Sequence, residues 1–167
     1  QMRRYILAFD PSGNFHEGKG TTGWTLYDTE TGKTAKFGVI RAVKFNTMVD
    51  YWIAHITLMD DLAGFGYTLV VEDYMLYANR ATSQINSRFE TPKLIGVLEY
   101  EATLRSIPIV FQTAALVKKR WTDEILAHKG IIEEREDGYY LADIKLAGHV
   151  LDSIRHAIHY ATFGNRK

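Results

Sequence analysis

The sequence predicts an α/β fold: a mixed five-stranded sheet, a three-strand antiparallel meander continued by parallel strands, flanked by helices. Three observations carry this. The first 40 residues hold three strand-like runs parted by a glycine-bearing loop and a glycine turn. Strand-like and helix-like segments then alternate, as in a sheet with covered faces. Near the C-terminus, "GHVLDSIRHAIHY" (148–160) has the 3.6-residue periodicity of a helix laid on a sheet.

The elements follow in order. "RYILAFD" (4–10) is a short apolar run ending at Asp10 and reads as a buried central strand. "PSGNFHEGKGT" (11–21) is a loop, broken by Pro11, Gly13, Gly18 and Gly20. "TGWTLYD" (22–28), the turn "TETGK" (29–33) and "TAKFGVI" (34–40) form a hairpin. Residues 47–63 have helical spacing, and "YTLVVED" (67–73) is a second buried strand ending in Glu72 and Asp73. "TPKLIGVLEYEATLR" (91–105) is predicted to be a helix with Thr91 as N-cap and Pro92 in its first turn. "IPIVFQT" (107–113) is a strand, and 114–130 one helix closed by Gly130. Residues 131–143 predict a small hairpin around Asp137-Gly138, and 146–163 the last helix. There is no repeat, linker or low-complexity segment, so residues 1–167 are expected to be a single domain.

Composition narrows the function classes. Twenty basic and twenty acidic residues balance, so bulk charge does not advertise a nucleic-acid binder; positive charge would have to be segregated into patches. Cysteine is absent, which rules out disulfides and thiolate chemistry and fits a reducing, cytoplasmic setting. No apolar run approaches the roughly 20 residues of a membrane span, and the opening residues do not have the pattern of a secretory leader.

The chemistry is carried by acids. On the last helix Val150, Ile154, Ala157, Ile158 and Ala161 share one side; His149, Asp152, Ser153, His156 and His159 share the other. A polar helix face is usually just a wet one, so the stretch matters only if other carboxylates reach it. Asp10 and Glu72 each end an apolar strand, and the carboxyl ends of strands are where α/β sheets place their sites. If those strands are neighbours, a last helix packed by its apolar face brings Asp152 and His149 to the same sheet end. Crowded carboxylates repel unless a cation lies between them, and hard oxygen donors favour Mg²⁺ or Mn²⁺. Two such ions roughly 4 Å apart suit phosphodiester hydrolysis. Taken singly, Asp10 before Pro11 could merely open a turn, and Glu72 could be a solvated strand end.

Four stretches together resemble the RuvC family of Holliday junction resolvases. "ILAFDPSG…TGWTLYD" is similar to that family's opening, and "LVVEDYML" to its glutamate-bearing strand. "IPIVFQTAALVKK" resembles its fifth strand with the lysine-bearing helix start, and "HVLDSIRHAIHY" its terminal helix. The resemblance spans essentially the whole chain. It implies an RNase H-like fold and a crossover junction endodeoxyribonuclease of DNA recombination and repair, with two Mg²⁺ per active site and Mn²⁺ able to substitute. It further implies Asp10, Glu72, His149 and Asp152 as metal ligands, and Lys118 as the catalytic lysine beside the scissile phosphate. The cut would leave a 5′-phosphate and a 3′-hydroxyl. A homodimer, joined through the counterpart of "KLIGVLEYEATLR", would nick both strands of a two-fold junction. The compact form looks like a bacteriophage member acting in the host cytoplasm.

Four departures bear on selectivity, not on chemistry. "NFHEGKGT" lengthens the first loop, Ser12 stands between Pro11 and Gly13, and residues 130–143 look inserted. Where the family places a stacking aromatic, this chain has Met75 between Tyr74 and Tyr77. Lys118, Lys119 and Arg120 form one basic cluster; Arg80, Arg88 and Lys93 another; Lys19 and His16 stand beside Asp10. These groups are the expected phosphate contacts, and Tyr74, Met75 and Tyr77 the expected stacking surface for unpaired bases. Two other readings fit the same acids: a ribonuclease of RNA–DNA hybrids, and a branched-DNA binding module that does not cut.

Overall fold

β-Branched and aromatic runs become the strands of a sheet whose alternating side chains decide everything placed on it. The computed structural model describes residues 2–75 and 88–164. The strands are β1 (Tyr5–Asp10), β2 (Thr21–Asp28), β3 (Lys33–Arg41), β4 (Thr68–Glu72) and β5 (Ile109–Gln112). They lie in the order β3-β2-β1-β4-β5. The first three form the antiparallel meander; β4 and β5 run parallel to β1, as the sequence predicts. The register sets Phe9 beside Val71 and Glu72 beside Gln112, so the acid-bearing ends of β1 and β4 are adjacent.

Each face of the sheet has its own core. Leu7, Phe9, Leu26, Leu69 and Val71 pack against α1 (Met48–Asp61) and α2 (Glu90–Leu104) through Tyr51, Met59, Leu94, Leu98 and Ala102. Ile6, Ala8, Tyr27 and Val70 point the other way. They meet α3 (Ala114–Arg120), α4 (Asp123–His128) and α5 (Gly148–Phe163) through Val117, Trp121, Leu126, Val150, Ile154, Ala157 and Ile158. With a period of two, Asp10 follows Ile6 and Ala8, Glu72 follows Val70, and Gln112 follows Val110. All three polar ends therefore lie on the α5 face. Among the described residues no helix is long and apolar enough to cross a membrane.

Several boundaries differ from those the sequence predicts, each for a local reason. Helix α2 starts one residue earlier, and Thr91 does not cap it: Phe89 occupies that position in a left-handed conformation. The Thr91 hydroxyl is engaged instead, accepting from Gly13 N at 2.9 Å. The segment 114–130 is two helices. Trp121 is buried between them, and Thr122 starts the second by accepting from Ile125 N at 3.3 Å. Gly130 does close it, with φ 73°. The small hairpin gains a third strand, giving β6 (Glu133–Arg135), β7 (Gly138–Leu141) and β8 (Ile144–Lys145). Helix α5 begins at Gly148 rather than at residue 146, because Leu146 is buried in the core before it. Its polar side is only partly wet: His149 is exposed, but Ser153 and His156 have no exposed surface, and Ser153 Oγ lies 2.7 Å from Thr25 Oγ1.

A buried polar network fixes the turn after Asp10. Ser12 N donates to Thr22 Oγ1 at 3.2 Å, and Tyr51 OH donates to Ser12 O at 2.6 Å. His55 Nδ1 donates to Tyr51 O at 2.8 Å, leaving Nε2 to accept from Thr22 Oγ1 at 2.8 Å. Burial favours the neutral ring and pushes the His55 imidazole down to about 4. Because the folded state binds this proton less readily than the unfolded chain, stability holds above the usual histidine value near 6.5 and is lost as pH falls toward 4. Urea titrations across that window should give an unfolding free energy that drops by up to about 1.4 kcal/mol per pH unit on this account. His55→Gln should flatten the drop; an unchanged slope would show that His55 is not held neutral.

Helix α5 sits hard against the sheet at Gly23. A Cβ there would lie 2.2 Å from the His149 carbonyl group. Gly23→Ala should cost about 3 kcal/mol, since backbone must move to admit a methyl group. Chemical denaturation measures it, and a cost below about 1 kcal/mol would mean that α5 is free to lift.

Candidate metal centre

Strand parity and helix packing converge on one cluster. Asp10, Glu72 and Asp152 each offer an oxygen within 4.8 Å of the other two. Asp10 is 7 % exposed, and the other two are partly buried. Asp10 comes from the end of β1, Glu72 from the end of β4, and Asp152 from the second turn of α5, over the same sheet end.

Each carboxylate is held by a donor from α5 itself. His149 Nδ1 lies 2.9 Å from Asp10 Oδ2. Arg155 Nε donates to Asp152 Oδ1 at 3.1 Å. His156 Nε2 lies 3.1 Å from Glu72 Oε2. Positions 149, 152, 155 and 156 follow the three- and four-residue steps that put side chains on one side of a helix. A single helix thus carries one acid of the cluster and a donor for all three. Arg155 is almost buried and is anchored at its far end, donating to Asp123 Oδ1 at 2.5 Å and to Trp121 O at 3.2 Å. Lys118 Nζ, from α3, lies 3.4 Å from Asp152 Oδ2.

The charges explain the titration behaviour. Burial pushes the Asp10 carboxyl up to about 7; the His149 hydrogen bond opposes this, and the charges of Glu72 and Asp152 add to it. Burial acts on Glu72 in the same sense, but hydrogen bonds from His156 and Asp10 and the charge of Lys118 outweigh it, so Glu72 is held low. His149 is raised, chiefly by its bond to Asp10. Burial lowers Lys118, but Asp152 and Glu72 more than offset this and keep it cationic. The cluster is made of hard oxygen donors: Asp10 and Glu72 each turn one oxygen to a protein donor, and Asp152 turns one to Arg155 and the other to Lys118. That donor set fits a divalent cation of the Mg²⁺ or Mn²⁺ class.

A second carboxylate organises the neighbouring loop. Glu90, 2 % exposed, accepts from Phe15 N at 2.5 Å and His16 N at 3.2 Å, and pairs with His16 Nδ1. Gly13 packs flush on the start of α2, where a Cβ would meet Glu90 O at 2.1 Å. The loop of residues 11–20 is thus latched to α2.

The remaining predicted residues are dispersed. His149 touches Asp10 but lies outside the mutually close set of three acids. Lys119 is exposed beside Lys118, while the Arg120 guanidinium lies over the Phe163 ring at 4.3 Å. Lys19 lies 3.6 Å from Glu17. Lys93 lines a groove between α1 and α2. Arg88 is exposed with φ 59°, and Met75 is 43 % exposed. Tyr74 packs toward the α1–α2 core with a buried hydroxyl. Tyr77 and Arg80 lie outside the described residues. Sequence reasoning missed the roles of Arg155, His156, Gln112 and Glu90. Arg155 and His156 could have been found from their three- and four-residue steps from Asp152, whereas nothing local marks Gln112 or Glu90.

No family model matches the chain, and no curated protein matches it. Solved structures do. The T. thermophilus RuvC in complex with Holliday junction substrate has a TM-score of 0.70 at 14 % identity, covering 98 % of this chain and 95 % of that one. A second Thermus thermophilus RuvC structure has a TM-score of 0.62 at 15 % identity, with 96 % of each chain covered. The likeness establishes the fold: a RuvC-type, RNase H-like mixed sheet between helices.

Crowded acids cost stability when no cation is bound. At pH 8 in EDTA, Asp10→Asn should raise the melting temperature by about 2–4 °C, corresponding to ~1 kcal/mol of relieved repulsion and desolvation. A lowered melting temperature would mean that the Asp10 charge is satisfied without a cation.

Proposed function

We propose that this protein is a divalent-metal-dependent nuclease that cuts branched DNA. The observation that carries the reading is the trio Asp10, Glu72 and Asp152, brought within 4.8 Å at one end of a RuvC-type sheet. These three residues would hold the cation, whose chemistry is to activate water and neutralise charge developing on a phosphodiester. The protein's own groups do the rest. Lys118, half-exposed beside Asp152, can pair with a phosphate oxygen and stabilise its developing charge. His149 holds a proton against Asp10 Oδ2 and is exposed enough to exchange it with solvent. Arg155 stays committed to Asp152 and Asp123 and keeps the acid aimed inward.

The neighbouring RuvC was solved with a Holliday junction, which supports branched DNA as the substrate class. Arg88 and Lys119 are exposed positive groups available to phosphates, and Lys19 is exposed beside Glu17. A junction of two-fold symmetry calls for two active sites, so the working form in this reading is a homodimer. The groove of about 550 Å³ between α1 and α2, lined by Val49, Trp52, Ile53 and Tyr100, is the face assigned to it.

The test uses end-labelled four-way junction, linear duplex and RNA–DNA hybrid, each with Mg²⁺ or EDTA, beside Asp152→Asn. Paired nicks near the junction centre, lost in EDTA and in the variant, are the expected result. Preferred cutting of the hybrid would redirect the reading to a ribonuclease. A junction that is bound but never cut would make the protein a binding module.

A further inference from the structure

Glu72 is the acid of the trio whose imidazole donor is itself held by a further side chain, from the neighbouring strand. Gln112 ends β5 beside Glu72 on β4 and lies on the same face of the sheet. Its Nε2 donates to His156 O at 2.9 Å, which fixes that atom as nitrogen rather than oxygen. The same Nε2 lies 3.1 Å from His156 Nδ1. An amide nitrogen only donates, so Nδ1 accepts, and the ring proton must sit on Nε2, aimed at Glu72 Oε2 at 3.1 Å. The imidazole has no exposed surface, so water cannot replace either partner.

We propose that Gln112 and His156 form a positioning chain: Gln112 selects the Nε2–H tautomer of His156, and that proton immobilises one oxygen of Glu72 so that the other is presented to the cation. This rests on the metal-dependent reading above. His156 is a positioning residue, not a ligand: it shapes a ligand through a hydrogen bond, the kind of outer support whose loss costs roughly 10–100-fold in metal affinity. A residue filling core volume alone would need no particular tautomer and no amide beside it.

Two measurements test it. Ring ¹⁵N shifts of His156 in the metal-free protein should report the Nε2–H tautomer, and Gln112→Leu should yield a mixture; the Nδ1–H form in the wild type would overturn the proposal. Calorimetric titration with Mn²⁺ alone should show roughly tenfold or greater weakening in His156→Phe, which keeps the volume and removes the donor. His156→Gln should restore most of the affinity, since its amide nitrogen reaches the place of Nε2. If His156→Phe does not fold, Gln112→Leu supplies the affinity comparison, with a loss of several-fold expected. Wild-type binding of Mn²⁺ that neither variant alters would sink the positioning chain and leave the metal reading intact. No Mn²⁺ binding by the wild type would sink both.

Discussion

The structure turns on the mutual repulsion of three carboxylates at one sheet end. Two unit charges 4.8 Å apart cost about 3 kcal/mol at the effective dielectric of a protein site. Nothing in the strands themselves keeps such a cluster together. Helix α5 does so, by pressing Val150, Ile154, Ala157 and Ile158 into the sheet while His149, Arg155 and His156 each engage one acid. The hydrophobic contact and the polar contacts come from one rigid element, so the acids cannot relax apart without withdrawing a helix from the core.

Much else in the molecule follows from holding that helix close. Gly23 is bare because α5's backbone occupies the space of a side chain. Ser153 is buried where the helix crosses β2 and pairs with Thr25 beneath it. On the opposite face the Thr22–His55–Tyr51–Ser12 network tightens the turn immediately after Asp10. The Glu90 latch then ties the loop after Asp10 to α2. Each device removes freedom from a residue next to an acid, as a preorganised site requires.

The fold and the three acids were legible in the sequence because both are written in short-range patterns. Apolar runs ending in Asp10 and Glu72 mark strand ends, and the period-two pleat puts both acids on one face. The 3.6-residue repeat of 148–160 marks a helix with Asp152 opposite its apolar side. Less legible were the donors. His156 reads as part of the polar side of the last helix, yet it is buried against Glu72 and Gln112. Thr91 reads as a cap from its neighbours, but Gly13, 78 positions earlier, claims its hydroxyl. Trp121 reads as one more helical residue, while tertiary burial breaks the helix there. Such cases depend on pairs remote in sequence, which no local period encodes.

This division also explains how a 14 % identical chain can share the RuvC architecture. Core positions demand apolar residues of fitting total volume, and many combinations satisfy that. The parity that places Asp10, Glu72 and Gln112 on one face tolerates far less, since a one-residue slip turns all of them to the other side. Supporting donors stand between these extremes. A carboxylate can be steadied by an imidazole, a guanidinium or an amide from several directions, so the donors are under a looser geometric constraint than the acids. For Glu72 the support is the buried His156 imidazole, with the Gln112 amide behind it.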